Sequence, residues 1–201
     1  MEKIIAYYDN KLKKYGDNFR GVDWNSLESQ NLRFKKLLKV IQKEEKYFTL
    51  LDYGCGYGAM LNYICDFYNN FDYTGFDISK AMIQEARNKS LISGVSWYNK
   101  IDRKKKFDYV IASGLFNVKL DFKKNEWFKY IIETLDQINY YSKKGFSFNI
   151  LSEYSDKDRR QNKLYYANPN ILFNHCKLKY SKYVSLIHDY PLYEFTIIVK
   201  K

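Results

Sequence analysis

The chain has 201 residues, 46% of them hydrophobic, which is enough to bury one sizeable core. Its longest apolar runs are only a few residues, whereas a membrane-spanning helix needs roughly 20. The first residues also lack the extended apolar stretch of an export signal. The sequence therefore predicts a single soluble domain over residues 1–201, located in the cytoplasm, and argues against membrane insertion.

The formal net charge of +11 would suit a nucleic-acid-binding protein, because lysine and arginine neutralise phosphates. The chain is also rich in Asn, Ile, Tyr and Lys, a bias that raises the pI without creating a binding face. We interpret the charge mainly as this bias, so nucleic acid is the less favoured partner. The three cysteines, Cys55, Cys65 and Cys176, share no C-x-x-C spacing, which predicts neither a disulfide framework nor a metal site.

Hydrophobic spacing predicts alternating helices and strands. Residues 27–46 have apolar residues at helical spacing, and Asn25 with Glu28 resembles a capping box at the start of that helix. Strands are predicted at residues 48–53, 73–77, 95–99, 107–112, 145–151, 178–187 and 193–200. Further helices are predicted at residues 59–68, 80–89 and 125–141, and after Asn168 with Pro169 in the first helical position.

This order of elements favours an α/β fold in which helices cover a mostly parallel sheet. The last two of the seven predicted strands are joined by a short turn around residues 189–191. Parallel strands need a longer crossover, so these two strands should form an antiparallel hairpin at the end of the chain.

The segment 50–59, LLDYGCGYGA, combines an apolar strand, an acidic residue, three alternating glycines and the start of a helix. Glycine lets the backbone turn tightly and lets a ligand approach the main chain closely. Asp77 ends the second predicted strand, where its carboxylate can accept hydrogen bonds from both hydroxyls of a ribose. The pattern predicts a site for a nucleotide-like ligand.

Two classes of ligand fit the glycines, because Gly54, Gly56 and Ala59 also match the G-x-G-x-x-G/A pattern of dinucleotide sites. Asp52 distinguishes them, since a carboxylate at the strand end would repel a pyrophosphate but suits a ligand with an ammonium and a sulfonium group. We therefore favour S-adenosylmethionine over a nicotinamide cofactor.

With these motifs the chain resembles the class I S-adenosylmethionine-dependent methyltransferases from about residue 30 to its end. The acidic-x-Gly-x-Gly-x-Gly motif corresponds to Asp52, Gly54, Cys55, Gly56 and Gly58, with Asp77 as the ribose-binding acid and residues 107–114 as the fourth-strand motif. The resemblance implies a Rossmann-like three-layer sandwich with a seven-stranded sheet, S-adenosylmethionine as cofactor, and methyl transfer without a metal.

The same resemblance assigns further cofactor contacts. Ile78 would pack on the adenine, Ile101 would contact the adenine edge, and Ser113 would lie beside the methionine moiety. The chain departs from the family between the third and fourth strands, where only residues 100–106 are available. The helix that the family normally has there is expected to be missing or reduced.

The N-terminal region is similar to the opening of small bacterial methyltransferases of surface-polysaccharide gene clusters. The similarity covers Tyr7, Tyr8 and residues 21–26, together with Gln30 and Arg33. It implies that residues 1–46 form a helical cap over the active site and that Gln30 and Arg33 contact the cofactor. It also suggests a small, sugar-derived acceptor, methylated on oxygen rather than nitrogen.

Acceptor contacts are expected from the segments that border the cofactor in this family. The candidates are Tyr7, Tyr8, Arg20, Trp24, Phe116, Asn117, Arg159, Arg160 and Tyr165. If the basic residues of segment 152–167 bind the acceptor, it is anionic; the alternative is that they are solvated. His188 is a candidate general base, and a surface-turn histidine without a catalytic role is the alternative.

Two other functions are alternatives to methylation of a small molecule: methylation of nucleic acid and cofactor binding without catalysis. Enzymes that methylate exocyclic nitrogens of bases usually carry an Asn/Asp-Pro-Pro-aromatic motif after the fourth strand, but residues 113–116 are Ser-Gly-Leu-Phe. A non-catalytic binding module is disfavoured because Asp52, the three glycines and Asp77 are all retained.

Overall fold

The computed structural model describes residues 1–42, 46–90 and 92–201. Its strands are β1 (Phe48–Tyr53), β2 (Phe71–Phe76), β3 (Val95–Tyr98), β4 (Phe107–Ala112), β5 (Ser142–Leu151), β6 (Tyr183–Ile187) and β7 (Glu194–Lys200). Its α-helices are α1 (Glu2–Tyr15), α2 (Leu27–Leu37), α3 (Ala59–Cys65), α4 (Lys80–Lys89), α5 (Lys124–Tyr141) and α6 (Pro169–Lys179).

All seven strands form one sheet in the order β3-β2-β1-β4-β5-β7-β6. The first five strands pair in parallel, whereas β7 lies antiparallel to both β5 and β6. The α/β Rossmann-like fold with an antiparallel terminal hairpin is therefore confirmed. Strand β1 lies between β2 and β4, so the direction of winding reverses there and leaves a crevice at the carboxyl ends of these strands.

The core lies on both faces of the sheet. On one face, α5 contributes Trp127, Ile131, Leu135 and Ile138, which are all at most 2% exposed. The other face is covered by apolar residues of α2, α3 and α4. Successive residues of β1 point to opposite faces, so Tyr53 lies on the α5 side of the sheet.

The structure corrects the helix predicted at residues 27–46. Helix α2 ends at Leu37 and is followed by a 3₁₀ turn, Leu38–Val40, while the predicted residues 43–45 lie outside the described part of the chain. The capping box is formed by Ser26 and Ser29 instead of Asn25 and Glu28: Ser26 Oγ accepts from the Ser29 N–H at 3.1 Å, and Ser29 Oγ accepts from the Ser26 N–H at 3.3 Å.

The strand predicted at residues 178–187 is wrong over its first part, because α6 continues to Lys179 and β6 begins at Tyr183. The Asn168 side chain caps α6 by accepting from the Ile171 N–H at 3.1 Å, with Pro169 in the first turn, as expected. The helix predicted at residues 59–68 also ends early, at Cys65.

The connection between β3 and β4 contains no helix, which confirms the departure predicted from the sequence. Residues 99–106 form only bends and turns before β4 begins. Helix α1 packs against the α5-side core and the start of α4: Ile4 is buried in the same core cluster as α5, and Ser79 Oγ donates to Asp9 at 2.5 Å. Within residues 1–42, 46–90 and 92–201, no helix is both long and apolar enough to cross a membrane.

Trp97 of β3 fills a space that only glycine leaves open. A Cβ atom added at Gly75 would lie 2.2 Å from the indole ring, and one added at Gly58 would lie 2.5 Å from it. We expect Gly75→Ala to lower the free energy of unfolding by about 1–3 kcal/mol, because overpacking a closed core forces side chains off their rotamers.

Urea unfolding followed by circular dichroism measures this change, with Ser96→Ala in β3 as the control. That control adds no atom to the core and should stay within about 0.5 kcal/mol of the parent chain. An equally small effect of Gly75→Ala would contradict the packing described for Trp97.

Candidate functional site

The glycine-rich turn joins the end of β1 to the start of α3. Gly54, Gly56 and Gly58 have φ angles of +85°, +54° and +88°, a left-handed region in which other residues are strained. The N–H groups of Gly54 and Cys55 donate to the Phe76 carbonyl at 2.7 and 3.0 Å. These bonds fasten the turn to the end of β2.

Asp77 follows β2 directly and is held by two backbone donors. The Gly56 N–H donates to Oδ2 and the Ser79 N–H donates to Oδ1, both at 2.9 Å. Burial raises the pKa of Asp77 to about 6, although both backbone hydrogen bonds favour the charged form. The carboxylate is thus fixed in position, and each oxygen can accept a further hydrogen bond.

Asp52 lies at the end of β1 and is only 2% exposed. The Tyr73 hydroxyl donates to Asp52 Oδ2 at 2.5 Å. Burial raises the pKa of Asp52 to about 7, against the effect of the Tyr73 hydrogen bond, and the nearby charge of Asp77 raises it further. A cation bound here would favour the ionised form of both carboxyl groups.

A cavity of about 270 Å³ opens at the carboxyl ends of β1, β2 and β4. It brings together ten of the residues predicted from the sequence, namely Tyr8, Trp24, Gln30, Asp52, Gly54, Cys55, Gly56, Asp77, Ile78 and Ser113. Helix α1 walls the cavity with Ile4, Ile5 and Tyr8. Among the described residues that line it, none is a lysine, an arginine or a histidine.

Trp24 forms the wall of the cavity next to the end of β4. Its ring lies where a side chain on Gly114 would be, 2.3 Å from the position of an added Cβ atom. The Arg33 guanidinium packs over this ring, with its Cζ atom 4.0 Å from the ring centroid. Trp24 is therefore held between the β4 turn and Arg33.

Arg33, predicted to bind the cofactor, does not line the cavity and is buried in a polar network instead. Its Nε and Nη2 atoms donate to the two oxygens of Glu194 at 2.9 and 3.0 Å. Asn117 and Asn149 donate to the same carboxylate at 3.2 and 2.5 Å. Asn117, predicted to contact the acceptor, is likewise a member of this network.

Two other residues predicted to contact the cofactor lie outside the cavity wall. Gly58 precedes α3 and faces Trp97, as described above. Ile101 is half-buried and packs against the α5 side of the core.

The remaining acceptor candidates lie elsewhere, and each has a local role. Tyr7 donates to Asp23 at 2.5 Å, and Arg20 packs on Phe19. The Phe116 side chain is fully buried, and the Tyr165 N–H donates to the Asn117 carbonyl.

The basic segment after β5 and the candidate general base are on the surface. Arg159 and Arg160 are exposed, and Arg160 donates to the carbonyls of Ser155 and Glu153. His188 is also exposed, with its ring centroid 6.0 Å from that of Phe195. The structure brings none of these three side chains to the cavity.

Sequence reasoning missed one part of the cavity, which we call the α5 arm. It is lined by Tyr53, Phe76, Tyr130, Thr134 and Gln137. The last three are spaced i, i+4 and i+7 along α5, so they share one helix face. Two features of the sequence could have indicated the α5 arm. One is this polar face, which lies beside the apolar stripe of α5, and the other is the missing β3–β4 helix.

Comparison with known proteins gives the family. Residues 27–184 match the family model described as "Methyltransferase domain", which is more than half of the chain. The chain therefore belongs to the methyltransferase domain family.

Similar proteins agree with this assignment. A protein of Mycobacterium tuberculosis named "Putative methyltransferase Rv1506c" is 46% identical over 161 residues, which cover 77% of this chain and 93% of that protein. Two solved structures share the fold. The complex of DhpI with SAH has a TM-score of 0.65 and 15% identity, and magnesium protoporphyrin IX methyltransferase from Synechocystis PCC 6803 with bound SAH has 0.65 and 13%. Each similarity extends over 98% of this chain and 94% of the chain in the solved structure.

The Arg33–Glu194 pair is expected to matter for stability. Arg33→Ala should lower the free energy of unfolding by about 3–5 kcal/mol, because it leaves the Glu194 carboxylate buried without its cation. Replacing both residues with methionine removes the charge along with its partner, so the double variant should be more stable than Arg33→Ala. Urea unfolding of the three chains tests this order, and a single variant within 1 kcal/mol of the parent would contradict it.

Proposed function

We propose that the chain is an S-adenosylmethionine-dependent methyltransferase that acts on a small-molecule acceptor. The observation that carries the proposal is the fixed Asp77 carboxylate at the rim of the glycine turn, held by Gly56 and Ser79. Vicinal ribose hydroxyls need such an acceptor at the end of the second strand. Family membership and structural neighbours that are complexes with SAH support the same cofactor.

The other residues of the cavity fit this cofactor. The Ser113 hydroxyl is buried beside the cavity and has no hydrogen-bond partner among the described residues, so it is available to a polar ligand group. Gln30, only 2% exposed, adds an amide at the α2 side. Asp52 supplies negative charge for an ammonium or sulfonium group and would repel a pyrophosphate, which argues against a dinucleotide.

When bound, S-adenosylmethionine supplies a methyl group on a positively charged sulfur. An acceptor atom attacks the methyl carbon in line and displaces the sulfur, which leaves as part of S-adenosylhomocysteine. The task of the chain is to align the two molecules and keep water out. Trp24, fixed between Gly114 and Arg33, provides a rigid wall for this purpose. Burial raises the pKa of Tyr8 well above its usual range, so its hydroxyl stays protonated and can donate a hydrogen bond.

For the acceptor we propose an uncharged, sugar-derived hydroxyl compound. An anionic acceptor would add a second negative group beside the carboxylate of the methyl donor, and no lysine, arginine or histidine among the described lining residues could pair with it. Aromatic walls such as Trp24 and Tyr8 suit the apolar faces of a sugar ring. Methylation on oxygen and a role in surface-polysaccharide modification follow from the resemblance of the N-terminal region.

Donor binding tests the proposed cofactor directly. Calorimetry with S-adenosylhomocysteine should give a dissociation constant for the parent chain that rises about tenfold or more in Asp77→Asn. The amide loses one acceptor oxygen and the negative charge, and hydrogen bonds to charged groups contribute about 1.5–3 kcal/mol. Gly56→Val should also weaken binding, because valine is strained at φ +54°.

Asp102→Asn is the matched control, since it makes the same change to a carboxylate in an exposed loop outside the cavity. Its dissociation constant should equal that of the parent chain. Unchanged affinity in both Asp77→Asn and Gly56→Val would reject the proposed site.

The acceptor charge is tested with the exposed basic segment. Once a screen for S-adenosylhomocysteine release has identified an acceptor, the combined Arg159→Ala and Arg160→Ala variant should change its KM by less than about twofold. Both side chains lie outside the cavity, and exposed charges contribute little. A rise of KM above tenfold with unchanged kcat would instead indicate an anionic acceptor bound by this segment.

A further inference from the structure

Ile78, which the family resemblance assigns to the face of the adenine, lines the cavity, whereas Ile101, assigned to the adenine edge, does not. Ile101 packs against the core, and the connection formed by residues 99–106 has no helix to cover the neighbouring face of β2. On that same face the cavity continues as the α5 arm, between the sheet and α5.

The α5 arm has two unlike sides. Tyr53 and Phe76 provide flat apolar surfaces, with ring centroids 4.8 Å apart. Helix α5 provides three groups that can each donate and accept hydrogen bonds, the hydroxyls of Tyr130 and Thr134 and the amide of Gln137. The Tyr53 hydroxyl donates to Gln137 Oε1 at 3.0 Å, so this oxygen is engaged while the amide nitrogen can donate outward.

The arm begins at the proposed ribose carboxylate. Phe76, which lines the arm, directly precedes Asp77 in the chain, and both residues line the same cavity as Tyr130. Burial raises the pKa of the Tyr130 hydroxyl to about 12, against the effect of a hydrogen bond with Thr134, and the charge of Asp77 raises it further. Tyr130 is therefore neutral at physiological pH and can donate a hydrogen bond. Trp24 and Gly114 lie at the end of β4, on the other side of β1 from the end of β2.

We propose that the α5 arm binds the adenine of the methyl donor, with Tyr130, Thr134 and Gln137 along the polar edge of the base. The proposal rests on the function proposed above. An adenine has two apolar faces and an edge that alternates donors and acceptors, which matches the aromatic and polar sides of the arm. It is also attached to the ribose, and the arm begins beside Asp77. Helix α5 thus replaces the β3–β4 connection as the source of adenine contacts.

The experiment compares S-adenosylhomocysteine with S-ribosylhomocysteine, which has the same amino-acid and ribose parts but no adenine. Calorimetry is run on the parent chain and on the double variant Tyr130→Phe with Thr134→Val, which removes two hydroxyls and keeps the shapes. A second variant, Gln137→Ala, is paired with Gln84→Ala on the exposed face of α4. S-Ribosylhomocysteine is measured by displacement if its binding is weak.

We expect the double variant to bind S-adenosylhomocysteine about tenfold more weakly, as the loss of two hydrogen bonds implies, and to bind S-ribosylhomocysteine within twofold of the parent. Gln137→Ala should weaken only the adenine-containing ligand, and Gln84→Ala should change neither affinity.

Three results would overturn the assignment. Unchanged affinity for S-adenosylhomocysteine in both arm variants would mean that adenine lies elsewhere. Equal losses for both ligands would mean that the arm acts through the general structure of the site. If the parent chain bound neither ligand, the proposed function would fail, and the adenine assignment with it.

Discussion

The hydrogen bonds from the Gly54 and Cys55 N–H groups to the Phe76 carbonyl join the carboxyl ends of β1 and β2, and the site depends on that junction. They place the Gly56 N–H against Asp77, so that the turn and the carboxylate fix each other. Such a junction needs left-handed backbone at the glycines, which is why residues with side chains are excluded there. Trp97 supports the same region from beneath Gly58 and Gly75.

A second set of interactions holds the opposite wall. Arg33 of α2 pairs with Glu194 of β7, and the asparagines around Glu194 belong to the β4 turn and β5. The network therefore joins the N-terminal region to both central and terminal strands. The Arg33 guanidinium packs over Trp24, which is a wall of the cavity. The Arg33–Glu194 ion pair therefore helps to position this wall, although neither residue lines the cavity.

The parts of the structure that sequence reasoning predicted are those with local causes. The turn is recognisable from a strand that is followed by alternating glycines and by an acidic residue 21 positions after Gly56. The bounds of β1 and β4 agree with those predicted from their apolar runs. The terminal hairpin follows from the shortness of its turn. The missing β3–β4 helix was predictable because seven residues cannot contain it and its connections.

The predicted site residues that do not line the cavity depend on contacts between distant parts of the chain. Arg33 and Glu194 are 161 positions apart, so nothing near Arg33 indicates that its charge is already paired. Arg160 and His188 have suitable chemistry, but the course of the loops after β5 and β6 decides where they lie. The role proposed for Tyr130 and Thr134 depends on a space between α5 and the sheet, which sequence spacing does not define. The apolar stripe of α5 does not indicate this space, whereas the polar face beside the stripe does.

The carboxyl groups of Asp52 and Asp77 link ligand binding to folding. Asp52 and Asp77 have pKa values near 7 and 6 in the folded chain, above the usual value of about 4 in an unfolded one. The folded state thus holds protons that the unfolded state has released, so their contribution to stability declines as pH rises from about 4 to 7. At neutral pH the fold carries the cost of negative charge that burial has removed from bulk water. A positively charged ligand lowers that cost, so the folded chain is more stable when such a ligand occupies the site.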